Sequence, residues 1–106
     1  MSFITLEALE QREPFPGFKG RFVHSGNMTV AYWTVEKGSA APEHAHPHEQ
    51  IALVTQGAFE LTIEGEAQTL TPGVVAVIPP NAVHSGTALT ACQVIDVFHP
   101  VREDLR

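Results

Sequence analysis

Apolar residues along this chain come in short runs, and in several runs they alternate with polar ones. In the stretch FELTIEGEAQTL, Phe59, Leu61 and Ile63 alternate with Glu60, Thr62 and Glu64. A period of two places one set on a single face of a β-strand. Gly65 follows, and glycine takes positive φ without steric cost, so the stretch predicts a hairpin turning there. Further strands are predicted at residues 21–25, 28–36, 50–56, 58–65, 66–70, 74–79 and 92–99, all rich in Val, Ile, Thr or aromatics. The stretch HAHP is expected to belong to another short strand. Residues 50–56 (QIALVTQ) and 74–79 (VVAVIP) do not alternate. They are apolar on both faces, which predicts burial on both sides, against a second sheet or a second subunit. The opening TLEALEQRE is the one segment with a helical rhythm, and it is short.

Eight glycines and eight prolines cut the chain into these pieces, the punctuation of an all-β domain. Short strands at this spacing suit a sandwich or barrel, and closure would remove the exposed edges of such apolar strands. With 106 residues, no linker and no repeat, residues 1–106 are expected to form a single domain.

Composition narrows the partners. The chain is 43% hydrophobic and 17% charged, which favours a packed core over disorder. Its net charge of -6 makes nucleic acid and anionic membranes poor partners. A small anionic ligand would need a local cation, either a metal or a placed arginine. Cys92 is the only cysteine, so an internal disulfide and a cysteine-pair zinc site are both excluded. The first residues lack a basic, apolar leader, and no run approaches the roughly 18 apolar residues of a membrane span. A reducing cytoplasm is the expected location.

Three of six histidines fall within five positions, in PEHAHPHEQ. On a strand His44 and His46 would share a face, with Ala45 pointing away. Two neutral imidazoles on one face make half of a metal site. Pro47 removes a backbone donor and ends regular pairing, so a third ligand could be His48, Glu49 or Gln50. A further ligand must come from elsewhere. His84, after the turn signal Pro79-Pro80-Asn81, is the best placed. The competing reading of a His-rich stretch is a solvated loop. His24 and His99 stand alone and are read as structural or exposed.

These residues resemble the cupin superfamily. Its first motif runs glycine, five residues, HxH, three or four residues, glutamate, six residues, glycine. Here Gly38 precedes SAAPE, His44 and His46, then Gln50, IALVTQ and Gly57. Its second motif runs glycine, five residues, PxG, two residues, histidine, three residues, asparagine. Here Gly73 precedes VVAVI, Pro79, Pro80, Asn81, two residues and His84. Gln50 stands in the glutamate slot, Asn81 in the turn-glycine slot, and Ala88 in the final asparagine slot. Asparagine enters the left-handed region more readily than most residues. The resemblance implies a double-stranded β-helix, or jelly-roll barrel, holding one divalent metal on His44, His46, Gln50 and His84. A neutral amide ligand leaves more charge on the ion than a carboxylate would, which favours an anionic, oxygen-bearing ligand. Imidazole and amide ligands suit Ni, Fe, Mn, Co or Zn, so the metal is not specified.

HAHPHEQ together with VIDVFHPVREDL is further similar to small single-domain cupins called pectin degradation proteins. That likeness implies opening of a 4,5-unsaturated uronate ring to its keto form, with functional residues at Asp96, Phe98 and Arg102. The residues are chemically apt. Asp96 interrupts an apolar strand, where an unpaired carboxylate would be costly. It is therefore either a proton-transfer group facing a pocket or a satisfied core aspartate, paired for example with Arg102. Phe98 shares its parity. Arg102 could clamp a carboxylate with two parallel bonds, or be a surface arginine within REDLR. The expectation is a metal-dependent cupin acting on a small anionic sugar as a homodimer. The alternatives are a cupin dioxygenase and a non-catalytic metal- or sugar-binding module.

Overall fold

A computed structural model describes residues 2–106. Ten strands occur among them: β1 (Arg12–Phe15), β2 (Phe18–His24), β3 (Thr29–Val35), β4 (Ala40–His44), β5 (Glu49–Gln56), β6 (Phe59–Ile63), β7 (Glu66–Leu70), β8 (Val75–Ile78), β9 (His84–Ala88) and β10 (Cys92–His99). They form two antiparallel sheets packed face to face as a jelly-roll barrel. One has six strands in the order β1-β2-β3-β10-β5-β8, and the other has four in the order β4-β9-β6-β7. No helix among the described residues is long and apolar enough to cross a membrane.

The hairpin read from the alternation is β6–β7, and Glu64 and Gly65 form its two-residue turn with φ of 48° and 81°. Positive φ at both positions is the type I′ geometry that matches the twist of the flanking strands. The helical rhythm of the opening survives only as a 3-10 turn at Leu6–Ala8. Three of the strands, β1, β4 and β9, carry Pro14, Pro42 or Gly86 and have no apolar run. Their strand character comes from the ladders they join.

Two expectations are corrected. The HAHP stretch joins a short strand only at its first residue: β4 ends at His44, and His46 lies in the connection that follows. Strand parity therefore does not bring the two rings together; the path of the connection after β4 does. The β5 and β8 segments are not covered on both sides by a second sheet among the described residues. Ile51, Val75 and Val77 are 38%, 57% and 60% exposed, so within the chain no second sheet covers their outer face.

The inner face of the large sheet is arranged in cross-strand rows. His24, Thr29, Phe98, Gln50 and Ile78 are successive register partners, and Phe22, Ala31, Asp96, Ala52 and Ala76 form the next inward row. Beyond them Trp33 packs edge-on against Phe18 and Phe22, with ring centroids 6.0 and 5.3 Å apart. These aromatics and the alanines flanking Asp96 lie in the barrel interior.

Candidate metal centre and adjoining cavity

Two connections, β4–β5 and β8–β9, cross between the sheets beside His44 and His84. The β4–β5 connection carries His46 and His48, and the β8–β9 connection carries Asn81. Asn81 takes the positive φ expected of it, 66°, and its N–H donates to the His46 carbonyl at 2.8 Å. That bond ties the two crossovers together. His44 closes β4 directly opposite His84, which opens β9. Ring centroids of His44 and His84 lie 4.1 Å apart, those of His46 and His84 5.0 Å, and those of His44 and His46 5.9 Å. One ring nitrogen from each lies within 4.8 Å of the others, so the three histidines could hold a metal ion.

Backbone carbonyls set the ring tautomers. His44 Nδ1 donates to the Pro42 carbonyl at 2.7 Å, and His84 Nδ1 to the Ala82 carbonyl at 2.9 Å. Each bond leaves an Nε2 lone pair free, the usual way an imidazole is held ready for a metal. His84 Nε2 is buried with no hydrogen-bond partner. Burial, the largest cause, pushes His84 below its ordinary pKa, with the neighbouring charges of His44 and Arg102 adding to the effect. His46 is lowered to about 4, by burial first and then by Arg102. Both rings are therefore neutral at pH 7, as metal ligation requires.

Gln50 completes the group. It is a buried polar residue on β5, whereas Glu49 beside it faces outward and is exposed. Gln50 Oε1 lies 3.1 Å from His46 Nε2, and His46 Nδ1 lies 3.1 Å from the His48 carbonyl. The Gln50 side chain also stands close enough to Asp96 to lower its pKa, against the larger effect of burial. A neutral imidazole has one N–H for these two oxygens, so one contact sets lone pair against lone pair. Turning the Gln50 amide around would only move its oxygen toward Asp96. A cation among His46 Nε2, His84 Nε2 and Gln50 Oε1 removes the conflict, so the residues fit a metal. His48 stands outside this cluster, its ring centroid 5.3 Å from that of His46 and its Nδ1 buried without a partner.

Beside this cluster lies a cavity of about 90 Å³, bordered by Trp33, His44, Gln50, His84, Asp96 and Phe98 with an apolar remainder that includes Phe59 and Leu61. Asp96 and Phe98 face it together, as their common parity predicts. Asp96 Oδ2 accepts the Trp33 indole N–H at 3.0 Å. Burial raises the Asp96 pKa to about 6, against the opposing effects of Gln50, Trp33 and Arg102. A carboxyl in that range both takes and gives protons near neutral pH.

Arg102 does not pair with Asp96. Its guanidinium stacks over Phe98, 4.6 Å from the ring centre, and makes two bonds to Asp104, at 2.9 and 2.7 Å. The arginine side chain is only 14% exposed, whereas that of Asp104 is 60% exposed. This makes Arg102 a fixed positive group near His46 and His84 rather than a free surface residue. Among the lone histidines, His24 bonds Thr29 and lies near the Leu105 carbonyl, and His99 is exposed.

Trp33 is the site residue that sequence reasoning missed. The signal was present: a single indole N–H inside an apolar strand needs an acceptor, and Asp96 was the one carboxylate placed inside another.

The chain is similar in sequence and fold to known proteins. The chain is 40% identical to pectin degradation protein KdgF of Dickeya dadantii over 70 residues, a stretch that spans 64% of each sequence. The structure of KdgF from Halomonas sp. matches with a TM-score of 0.92 at 32% identity, covering 100% of this chain and 99% of that one. An RmlC-like cupin from Shewanella frigidimarina matches with a TM-score of 0.93 at 28% identity, covering 100% and 96%. The cupin domain model matches residues 31–98, and the chain belongs to the cupin family.

Proposed function

We propose that this cupin uses a divalent metal, held by His44, His46, Gln50 and His84, to open the ring of a 4,5-unsaturated uronate or a related keto sugar. The observation that carries this reading is the convergence, at one cavity, of His44, His84 and Gln50 with Asp96 and Phe98, while His46 completes the histidine cluster and Arg102 is stacked on the Phe98 ring. The likeness to proteins named for pectin degradation supports a uronate as substrate.

When bound, the metal supplies positive charge for substrate oxygens. The chain's own residues do the rest. Arg102 exchanges Asp104 for the substrate carboxylate, which its fork matches in geometry. Phe98 packs the apolar face of the sugar. Asp96 takes the proton of the anomeric hydroxyl. The O–H pair becomes the aldehyde C=O, the bond from that carbon to the ring oxygen breaks, and the ring oxygen becomes the C5 enolate. Protonation at C4, by the proton that Asp96 holds, gives the C5 ketone. Nothing is oxidised or reduced, and the net change is an isomerisation.

The outer face of β5 and β8, with Ile51, Val75 and Val77 exposed, supports a homodimer. The lone, buried Cys92 is in keeping with a cytoplasmic protein. Metal analysis of the purified protein, followed by loss of the ultraviolet absorbance of the conjugated C4=C5 carboxylate, tests the reaction. No consumption of unsaturated uronate by metal-loaded protein removes the reaction and leaves the metal centre standing.

A further inference from the structure

Thr29 is fully buried, at 0% exposure, and stands at the head of β3 in the same inner row as Phe98 and Gln50. A buried hydroxyl at that place must be hydrogen-bonded to be tolerated. Its Oγ1 has two partners. It accepts the Arg102 backbone N–H at 2.9 Å, and it lies 2.8 Å from His24 Nδ1. His24 Nε2 in turn lies 3.3 Å from the Leu105 carbonyl. One assignment satisfies every group. A carbonyl oxygen only accepts, so the Nε2 that faces it carries the imidazole proton. Nδ1 is then an acceptor and takes the Thr29 O–H. The Oγ1 lone pairs are left for Arg102. Arg12 also donates to the Leu105 carbonyl.

The segment after β10 is thus fastened at both ends, at Arg102 N by Thr29 and at Leu105 O by His24 and Arg12. Between these points the Arg102 side chain lies over Phe98. Asp104, which holds the guanidinium fork, is exposed and must release it to any incoming carboxylate. Asp104 therefore cannot fix the arginine once a ligand arrives, whereas the backbone bond to Thr29 persists.

Resting on the anionic substrate proposed above, we infer that Thr29, backed by His24, is the positioning residue of the carboxylate clamp. Its hydroxyl sets where Arg102 leaves the backbone and so where the guanidinium stands beside the metal centre.

Thr29→Val keeps the shape and removes both hydrogen bonds. In metal-loaded protein the Kd for galacturonate should rise about tenfold, the equivalent of one lost hydrogen bond, while that for neutral galactose stays within about twofold. Amide hydrogen exchange at residues 101–106 should accelerate in the same variant. Thr29→Ser should restore both. The inference is overturned if exchange is unchanged, if galacturonate binds as in wild type although exchange has accelerated, or if galactose weakens in parallel. Should Thr29→Val not fold, His24→Leu removes the half-buried outer partner. It should weaken galacturonate by about threefold and expose the Leu105 segment to exchange, and no change in either measurement overturns the inference. If wild type binds galacturonate no better than galactose, the anionic substrate fails, and the exchange comparison alone decides whether Thr29 fixes the Arg102 segment.

Discussion

His46 Nε2 faces Gln50 Oε1 at 3.1 Å, and the same side chain lowers the pKa of Asp96. Gln50 thus connects a metal-ligand candidate to the acid–base candidate. Gln50→Glu should keep metal but weaken anionic ligands, because the added carboxylate cancels part of the ion's charge and repels the ligand. It also sets a second carboxylate against Asp96. Titration with galacturonate checks this. Affinity equal to or better than wild type would mean that Gln50 does not face the ion.

His44→Ala and His84→Ala each remove one of three nitrogens. Metal occupancy after purification should fall severely in both, and the stabilisation gained on adding metal should shrink with it. Elemental analysis beside thermal unfolding, with and without metal, tests the pair. Unchanged stoichiometry in both variants would remove the site.

Asp96→Asn keeps the shape and the bond from Trp33 but no longer accepts a proton. The expected result is a kcat lower by roughly two to four powers of ten, with the fold intact. Full kcat in that variant would make Asp96 structural.

Stability of the metal-free protein should depend on pH through two opposed groups. His46 has its pKa lowered from 6.5 to about 4, so between those values the unfolded chain holds a proton there that the folded chain lacks. Stability from this group falls as pH drops. Asp96 is raised from 3.8 to about 6, so between those values the folded chain holds the extra proton, and stability from this group rises as pH drops. The two partly cancel. Asp96→Asn should therefore raise the melting temperature at pH 7 and steepen its decline between about pH 6 and pH 4. Parallel melting curves for the two proteins across that range would contradict the buried environment of Asp96.

Arg102→Gln should raise KM for the uronate strongly and change kcat less, since a carboxylate clamp acts in ground and transition states alike. Asp104→Asn should shift KM the other way, because it frees the fork from an exposed partner whose pairing is worth little in water. A KM that rises in both variants would assign the pair a purely structural role.

Much of this site was legible as spacing. The interval from Gly38 through His44 and His46 to Gln50, and that from Gly73 to His84, reflect backbone turns and strand lengths that leave a regular trace. Asn81 was readable because few residues accept its φ. What was not legible came from partners rather than from local pattern. β9 reads His84-Ser85-Gly86-Thr87-Ala88, with no apolar run, and becomes a strand by pairing with β4 and β6. The convergence of His44 and His46 looked like strand parity and is instead set by the path of the connection after β4. The apolar outer positions Ile51, Val75 and Val77 signal a surface that the single chain leaves open, which no periodicity separates from a buried strand. Arg102 could be read as a clamp or a surface residue, and only its seat on Phe98 and its grip on Asp104 separate the two.

The metal-ligand candidates come from different sheets. His44 and His84 sit on the four-stranded sheet, Gln50 on the six-stranded one, and His46 on the connection between them. An ion at this point would act as a rivet through both walls of the barrel. Without it the walls here are joined by the crossovers, by the Asn81–His46 backbone bond and by packing. Filling the site would then change more than chemistry: opening fluctuations that separate β9 from β5 would be damped together, and the site would double as a fastening between the two sheets.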